Sequence, residues 1–318
     1  MSFLEELGYA GAEQHVLQAD ASKHYTRLTG GPRPALLMRT PDAGYLQAFL
    51  RVARHLERLG VPAPGVIGVD EATHTALVED LGATSMAAAL DAGAEAAPLY
   101  FDAARSLVSL HAQAPPEGLP AWDAAAMIRT AQATFCDWWW PATYGAPCGD
   151  ATREGLAAAL DAMLAPFAGQ DLSKNGGFVH RDYFPANLVP TPRGMAVIDF
   201  QDAARGHPAY DLVSLVEDAR RDVAPALREA VISAYLAQRP MLAPEGFRAA
   251  MAVHAAQRHL RVAALWVRLD RRDGKPHYLA HGPRCWALLA RALEHPATTP
   301  LRRFLDAHVP PGKRGNPT

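Results

Sequence analysis

The chain has 318 residues, of which 49% are hydrophobic, and its 31 Lys plus Arg nearly balance 33 Asp plus Glu. That length buries a sizeable core and, at roughly 150 residues each, suggests about two domains or lobes. The charge balance excludes the long-range basic field of nucleic-acid binders. The opening MSFLEELGYAGAE lacks a secretion signal, and no apolar run reaches the roughly 18 residues of a membrane span. A soluble, cytoplasmic, monomeric protein without nucleic-acid or membrane partners is expected.

The first eighty residues read as a small sheet. A short run near Val16, a polar turn over Asp20 to Lys23, a run from His24 to Leu28, a Gly30-Gly31-Pro32 break and a run from Ala35 to Arg39 predict three strands. Leu46, Phe49, Leu50, Ala53, Leu56 and Leu59 then recur at helical intervals until Gly60 and Pro62 stop them. GVIGVD and HTALVED add two more strands.

From Ser85 onward the pattern is mainly helical, over residues 97–113, 121–140, 151–167, 209–220, 223–238, 246–270 and 283–294. The tail HVPPGKRGNPT has little to bury and reads as frayed. The odd count of cysteines, Cys136, Cys148 and Cys285, with no CxxC pair, argues against a disulfide framework or a zinc site and leaves buried thiols. His207, His254 and His259 lack metal-ligand spacing.

One stretch interrupts the helices. GGFVHRDYFPANLVPTPRGMAVIDFQD, residues 176–202, holds apolar runs that end in polar groups, with Gly194 placed to turn the last two into a hairpin. The five-residue step from Asp182 to Asn187 lets one loop carry a carboxylate and an amide, and Asp199 arrives from the next strand. A carboxylate beside a substrate hydroxyl accepts its proton, and an amide oxygen plus a second carboxylate suits Mg²⁺. Together they are the groups of phosphoryl transfer.

His180-Arg181-Asp182, Asn187 and Ile198-Asp199-Phe200 resemble the catalytic loop and metal-binding Asp of the kinase fold. Gln201 where protein kinases have Gly, the short spacing between motifs, and YDLVSL at 210–215 resemble the aminoglycoside phosphotransferase and choline kinase branch. Within it, DASKHYTRL, LVEDLG, VIDFQDAARGHPAYDLVSL and RLDRRDGKPHYL are similar to the bacterial anomeric N-acetylmuramate/N-acetylglucosamine kinases of cell-wall recycling. The resemblance implies an α+β, two-lobed protein-kinase-like fold. Residues 1–80 would form the nucleotide-binding lobe, and 81–318 a helical lobe with the catalytic loop and acceptor site. It implies ATP and Mg²⁺ as cofactors and an amino sugar as acceptor.

Carried over by residue, Asp182 would be the catalytic base, Asn187 and Asp199 the Mg²⁺ ligands, and Glu79, Asp80 and Leu81 the segment that meets adenine. His180 and Arg181 would hold the loop. Asp211 would either cap its helix or support the catalytic loop. The strand lysine and helix glutamate of kinases are missing: ALLMRT offers Arg39 or Met38, and the following helix has no acid before Glu57. Ser22, Lys23 and Arg39 are therefore the candidates for phosphate contact. Trp138, Asp202, Gln257 and Arg261 are the acceptor candidates, although helix packing is the plainer role for Trp138, and Gln257, Arg261 and Arg268 equally suit a solvated helix face. The alternatives are another small-molecule hydroxyl kinase, of aminoglycoside or choline type, or a nucleotide-binding pseudokinase acting as an interaction module.

Overall fold

The computed structural model describes residues 2–17, 24–168 and 177–317. A short helix α1 (Phe3–Glu6) precedes strands β1 (Glu13–Val16), β2 (His24–Thr29) and β3 (Ala35–Arg39), helix α2 (Ala43–Arg58), and strands β4 (Val66–Asp70) and β5 (Thr75–Glu79). The five strands form one antiparallel sheet in the order β1-β2-β3-β5-β4. Asp42 caps α2 by accepting the Tyr45 N–H at 2.8 Å, and Leu46, Phe49, Leu50, Ala53 and Leu56 bury its inner face. One side of the sheet closes over Tyr9, Leu28, Ala35, Leu37 and Leu77, with Leu4 and Leu7 of the α1 segment packed on them.

The chain continues through α3 (Met86–Asp91), α4 (Ala96–His111), β6 (Ala121–Trp122), α5 (Ala124–Ala131), α6 (Trp140–Tyr144), α7 (Asp150–Ala168) and β7 (Phe178–Val179). Then come β8 (Leu188–Thr191), β9 (Gly194–Val197), β10 (Ala204–Gly206), α8 (Ala209–Val216), α9 (Pro225–Ala237), α10 (Pro244–Asp273), α11 (Gly282–Ala292) and α12 (Thr299–His308). The predicted helix over 121–140 is instead α5, a π-helix over Gln132–Trp139, and α6. The π turns let Phe135 and Trp139 stack at 4.8 Å while both stay buried.

Contacts divide the chain into two compact units, Met1–Leu119 with Asp182–Ala203, and Pro120–Arg181 with Ala204–Thr318. The first takes in more chain than the sheet and α2 of residues 1–80. Tyr183 donates to the Ala103 carbonyl at 2.8 Å, Ser106 donates to that of Met195 at 3.0 Å, and the Val197 N–H bonds Pro62 at 2.9 Å. These bonds bind α4 and the β8–β9 hairpin to the sheet's own unit. In the second unit, β6, β10 and β7 form a small sheet and α10 is the central helix, with buried residues on most of its circumference.

The tail is not frayed. Gly315 accepts from the Trp139 indole at 2.8 Å, Arg314 pairs with Asp306 at 2.6 Å, and Asn316 donates to the Leu279 carbonyl at 2.7 Å. The tail docks by hydrogen bonds and an ion pair, a signal that an apolar count does not carry. All three cysteines are buried and free. No described helix is long and apolar enough to cross a membrane.

Candidate active site

The predicted hairpin forms with Leu188 opposite Val197 and Thr191 opposite Gly194. Gly194, at φ 110°, makes the turn that a side chain would strain. Thr191 Oγ1 donates to the Gly194 carbonyl and accepts the Arg193 N–H. Ahead of the hairpin, Phe184 is extended, as a residue before proline should be, and Pro185 starts a 3₁₀ turn over Pro185–Asn187. That turn folds Asn187 back so that its Nδ2 donates to the Asp182 carbonyl at 3.0 Å. The Ile198 N–H then bonds the Asn187 carbonyl at 3.0 Å, which sets Asp199 beside the start of β8. Asp182, Asn187 and Asp199 thus meet at one end of the hairpin, all within the first unit and all half-buried.

Asp199 adopts φ 61°, a left-handed conformation that costs a non-glycine residue about 1–3 kcal/mol. Gln201 helps hold it there. Its side chain is 8% exposed, and its Nε2 donates at 3.0 Å both to Asp199 Oδ1 and to Asp202 Oδ2. Phe200 stacks on Phe49 of α2 with ring centroids 4.9 Å apart, which anchors the next residue of the chain. With Asn187 Nδ2 committed to a carbonyl, its Oδ1 is the atom left for a cation, and Asp199 supplies a carboxylate. This hard-oxygen pair fits Mg²⁺, which takes one or two protein ligands and completes its shell with phosphate and water.

The chain just before Asp182 is held inside the second unit. Asp211, fully buried, accepts the backbone N–H groups of His180 at 2.6 Å and Arg181 at 3.0 Å. It lies within α8, whose N-cap is Pro208, so it supports the loop and does not cap its helix. Arg258, which the sequence reading missed, is 2% exposed and donates to the Arg181 carbonyl at 3.2 Å. Arg181 itself sits at φ 75° with its guanidinium 4.3 Å over the Trp122 ring. His180 and Arg181 are thus anchored within the second unit.

The remaining candidates separate. Ser22 and Lys23 lie outside the described residues. Arg39 requires a correction: in a strand, alternate residues share a face, so Arg39 goes with Ala35 and Leu37 toward the α1 side, while Leu36 and Met38 take the other. Glu79 pairs with Arg193 at 2.7 Å, and Asp80 forms a bidentate pair with Arg27 at 2.5 and 3.2 Å. The Asp80 N–H bonds Pro34, whereas the Leu81 N–H has no acceptor among the described residues. Gln257 also needs correcting: it is fully buried and donates to the Met127 carbonyl at 3.0 Å, a core role. Arg261 is half-buried on the Tyr210 hydroxyl, Trp138 is half-buried, and Asp202 is exposed.

A small antiparallel sheet with one helix, a hairpin presenting Asp, Asn and Asp, and a mainly helical remainder together define a protein-kinase-like phosphotransferase fold. The chain belongs to the phosphotransferase enzyme family, whose sequence model matches residues 13–247, and it is an ATP-dependent kinase. It is 31% identical to the N-acetylmuramate/N-acetylglucosamine kinase of Caulobacter vibrioides, over 97% of this chain and 95% of that protein. It is also 31% identical to the enzyme of that name from Pseudomonas aeruginosa, over 95% of this chain and 90% of the relative. Among solved structures, choline kinase from Cryptosporidium parvum matches with a TM-score of 0.64 at 13% identity, over 96% of each chain, and so shares the fold.

Proposed function

We propose that the enzyme transfers the γ-phosphoryl group of ATP to the anomeric hydroxyl of a small amino sugar, N-acetylmuramate or N-acetylglucosamine, giving the sugar 1-phosphate. The observation that carries the reaction type is the convergence of Asp182, Asn187 and Asp199 at one end of the hairpin. The names of relatives that align with nearly the whole chain support the sugar.

In this reading Asp182 accepts the proton of the sugar hydroxyl as it attacks, and the buried backbone clamps of Asp211 and Arg258 keep the preceding peptide in place. Asn187 and Asp199 would hold Mg²⁺, which when bound offsets the charge that develops on the phosphate oxygens. The open Leu81 N–H at the end of the sheet is a donor for the adenine edge, and the strands and helix of residues 1–80 form the nucleotide-binding part. Asp202, Arg261 and Trp138 remain acceptor candidates, and Gln257 does not.

The test is ATP consumption over N-acetylmuramate, N-acetylglucosamine, aminoglycosides, choline and homoserine, with the product located by phosphorus NMR. The expected result is turnover of the two amino sugars with phosphate on the anomeric oxygen. Phosphate on another hydroxyl, or turnover of choline or an aminoglycoside alone, would sink the proposed acceptor.

A further inference from the structure

The small sheet leaves a charge problem on its catalytic face. Protein kinases meet the phosphates with a lysine on the third strand, held by a glutamate of the next helix. Here the corresponding strand face carries Met38, and α2 turns Phe49, an aromatic ring, toward Phe200. Arg39 points to the opposite face, as strand alternation requires.

The strand register identifies what else shares the Met38 face. Tyr25 lies opposite Met38, Arg27 opposite Leu36, and Ala76 opposite Met38 on the other side. The Arg27 guanidinium is committed to Asp80 through two hydrogen bonds. The Tyr25 hydroxyl instead donates to the Met38 Sδ at 3.4 Å, and a thioether is a weak acceptor. Burial, and then the negative charge of Asp199, push the Tyr25 hydroxyl well above its ordinary value. A phenol is a hydrogen-bond donor in its ordinary neutral form, and Tyr25 and Asp199 belong to the same unit. Exchanging a thioether for a phosphate oxygen gives a charge-assisted hydrogen bond of roughly twice the strength.

We propose that Tyr25 is a phosphate-binding residue of the nucleotide site, its hydroxyl donating to an ATP phosphate oxygen beside Asp199 in place of the missing strand lysine. The assignment rests on the kinase reading of the site and names the group that answers for the lost cation. A neutral donor fixes a phosphate oxygen in direction but does not neutralise it, so the Tyr25 face orients the triphosphate and leaves charge compensation to the metal.

Calorimetric titration of the parent and Tyr25→Phe with a non-hydrolysable ATP analogue plus Mg²⁺, and separately with adenosine, tests this. Removing the hydroxyl is expected to weaken the analogue by about tenfold, the cost of one hydrogen bond to a charged group, while adenosine binding stays as in the parent. A structural role for Tyr25 would move both ligands together. Equal weakening of both, or an unchanged analogue, overturns the assignment. If the parent binds neither ligand, the nucleotide reading of the site itself fails, independently of Tyr25.

Discussion

Asp211 shows how one carboxylate holds the backbone that leads into Asp182. Two backbone N–H groups end on it in a fully buried setting, so Asp211→Ala strands both donors and should cost about 3 kcal/mol of stability as well as activity. Denaturant unfolding checks this; unchanged stability with lost activity would mean that Asp211 acts elsewhere. Asp182→Asn should behave oppositely, lowering turnover by about 10² or more with melting unchanged. Arg39→Ala should leave turnover within about twofold of the parent, because a surface arginine on the outer sheet face meets no phosphate. Steady-state kinetics decide both. The convergence of Asp182, Asn187 and Asp199 was legible because their residue types and spacing sit on one loop and the strand that follows it. The phase of Arg39 was not: β3 is central and apolar on both faces, so the alternation that marks an edge or half-exposed strand is absent from ALLMR. Gln257 was misread for a related reason, since α10 is buried nearly all round and its polar residues need not mark a solvent face.

Among the elements, the strands and α2 follow their predicted runs because period-2 and period-3.6 patterns in short segments bounded by glycine and proline leave few alternatives. The π-helix and the docked tail had no such signal. A widened turn depends on what its rings pack against, here Phe135, Trp139 and Trp286, and the tail depends on single hydrogen bonds from Trp139 and Asn316. Removing residues 310–318 should therefore expose the Trp139 and Trp286 edge, shift tryptophan emission to the red and lower the melting temperature by several degrees, on the order of 1–2 kcal/mol for the lost bonds. Emission and melting identical to the full chain would show that the tail contributes nothing to the helices it covers.

At the scale of the whole molecule, three buried histidines tie stability to pH. Burial, then Arg58, lowers His55 to about 4, and burial, then His207, lowers His254 far below its ordinary value, with neither ring nitrogen of His254 bonded to any of the described residues. His259 is lowered too: burial outweighs its bond to Glu217 at 2.8 Å, and the charges of Arg258 and Arg291 act in the same direction as burial. In each case the unfolded chain binds a proton near pH 6.5 that the folded chain refuses. The stabilisation is thus complete above that value and drains as pH falls, at up to about 1.4 kcal/mol per pH unit for each histidine. Glu217 acts in a lower window: burial opposes its ionisation, but His259 and the two arginines hold it at about 2, so its contribution is present above pH 4.5 and lost toward 2. Melting curves between pH 7 and 5 should fall steeply, and His254→Phe should flatten the slope by about one proton. An unchanged slope would show that His254 is protonated in the folded state.

The division of the chain has a consequence for its synthesis. The sheet unit is assembled from Met1–Leu119 and Asp182–Ala203, with a stretch of the other unit made in between. As the polypeptide emerges from the ribosome, the sheet and α4 are complete while Tyr183, which bonds Ala103, and the hairpin that bonds Ser106 and Pro62 are still unwritten. At about 5–20 residues per second, that leaves roughly 4–17 s in which the partner groups of α4 and Pro62 have no hairpin to bond. The nascent chain must carry an unfinished core through that interval, so the sheet unit can close only after the passage from Leu119 to Ala203 has been made.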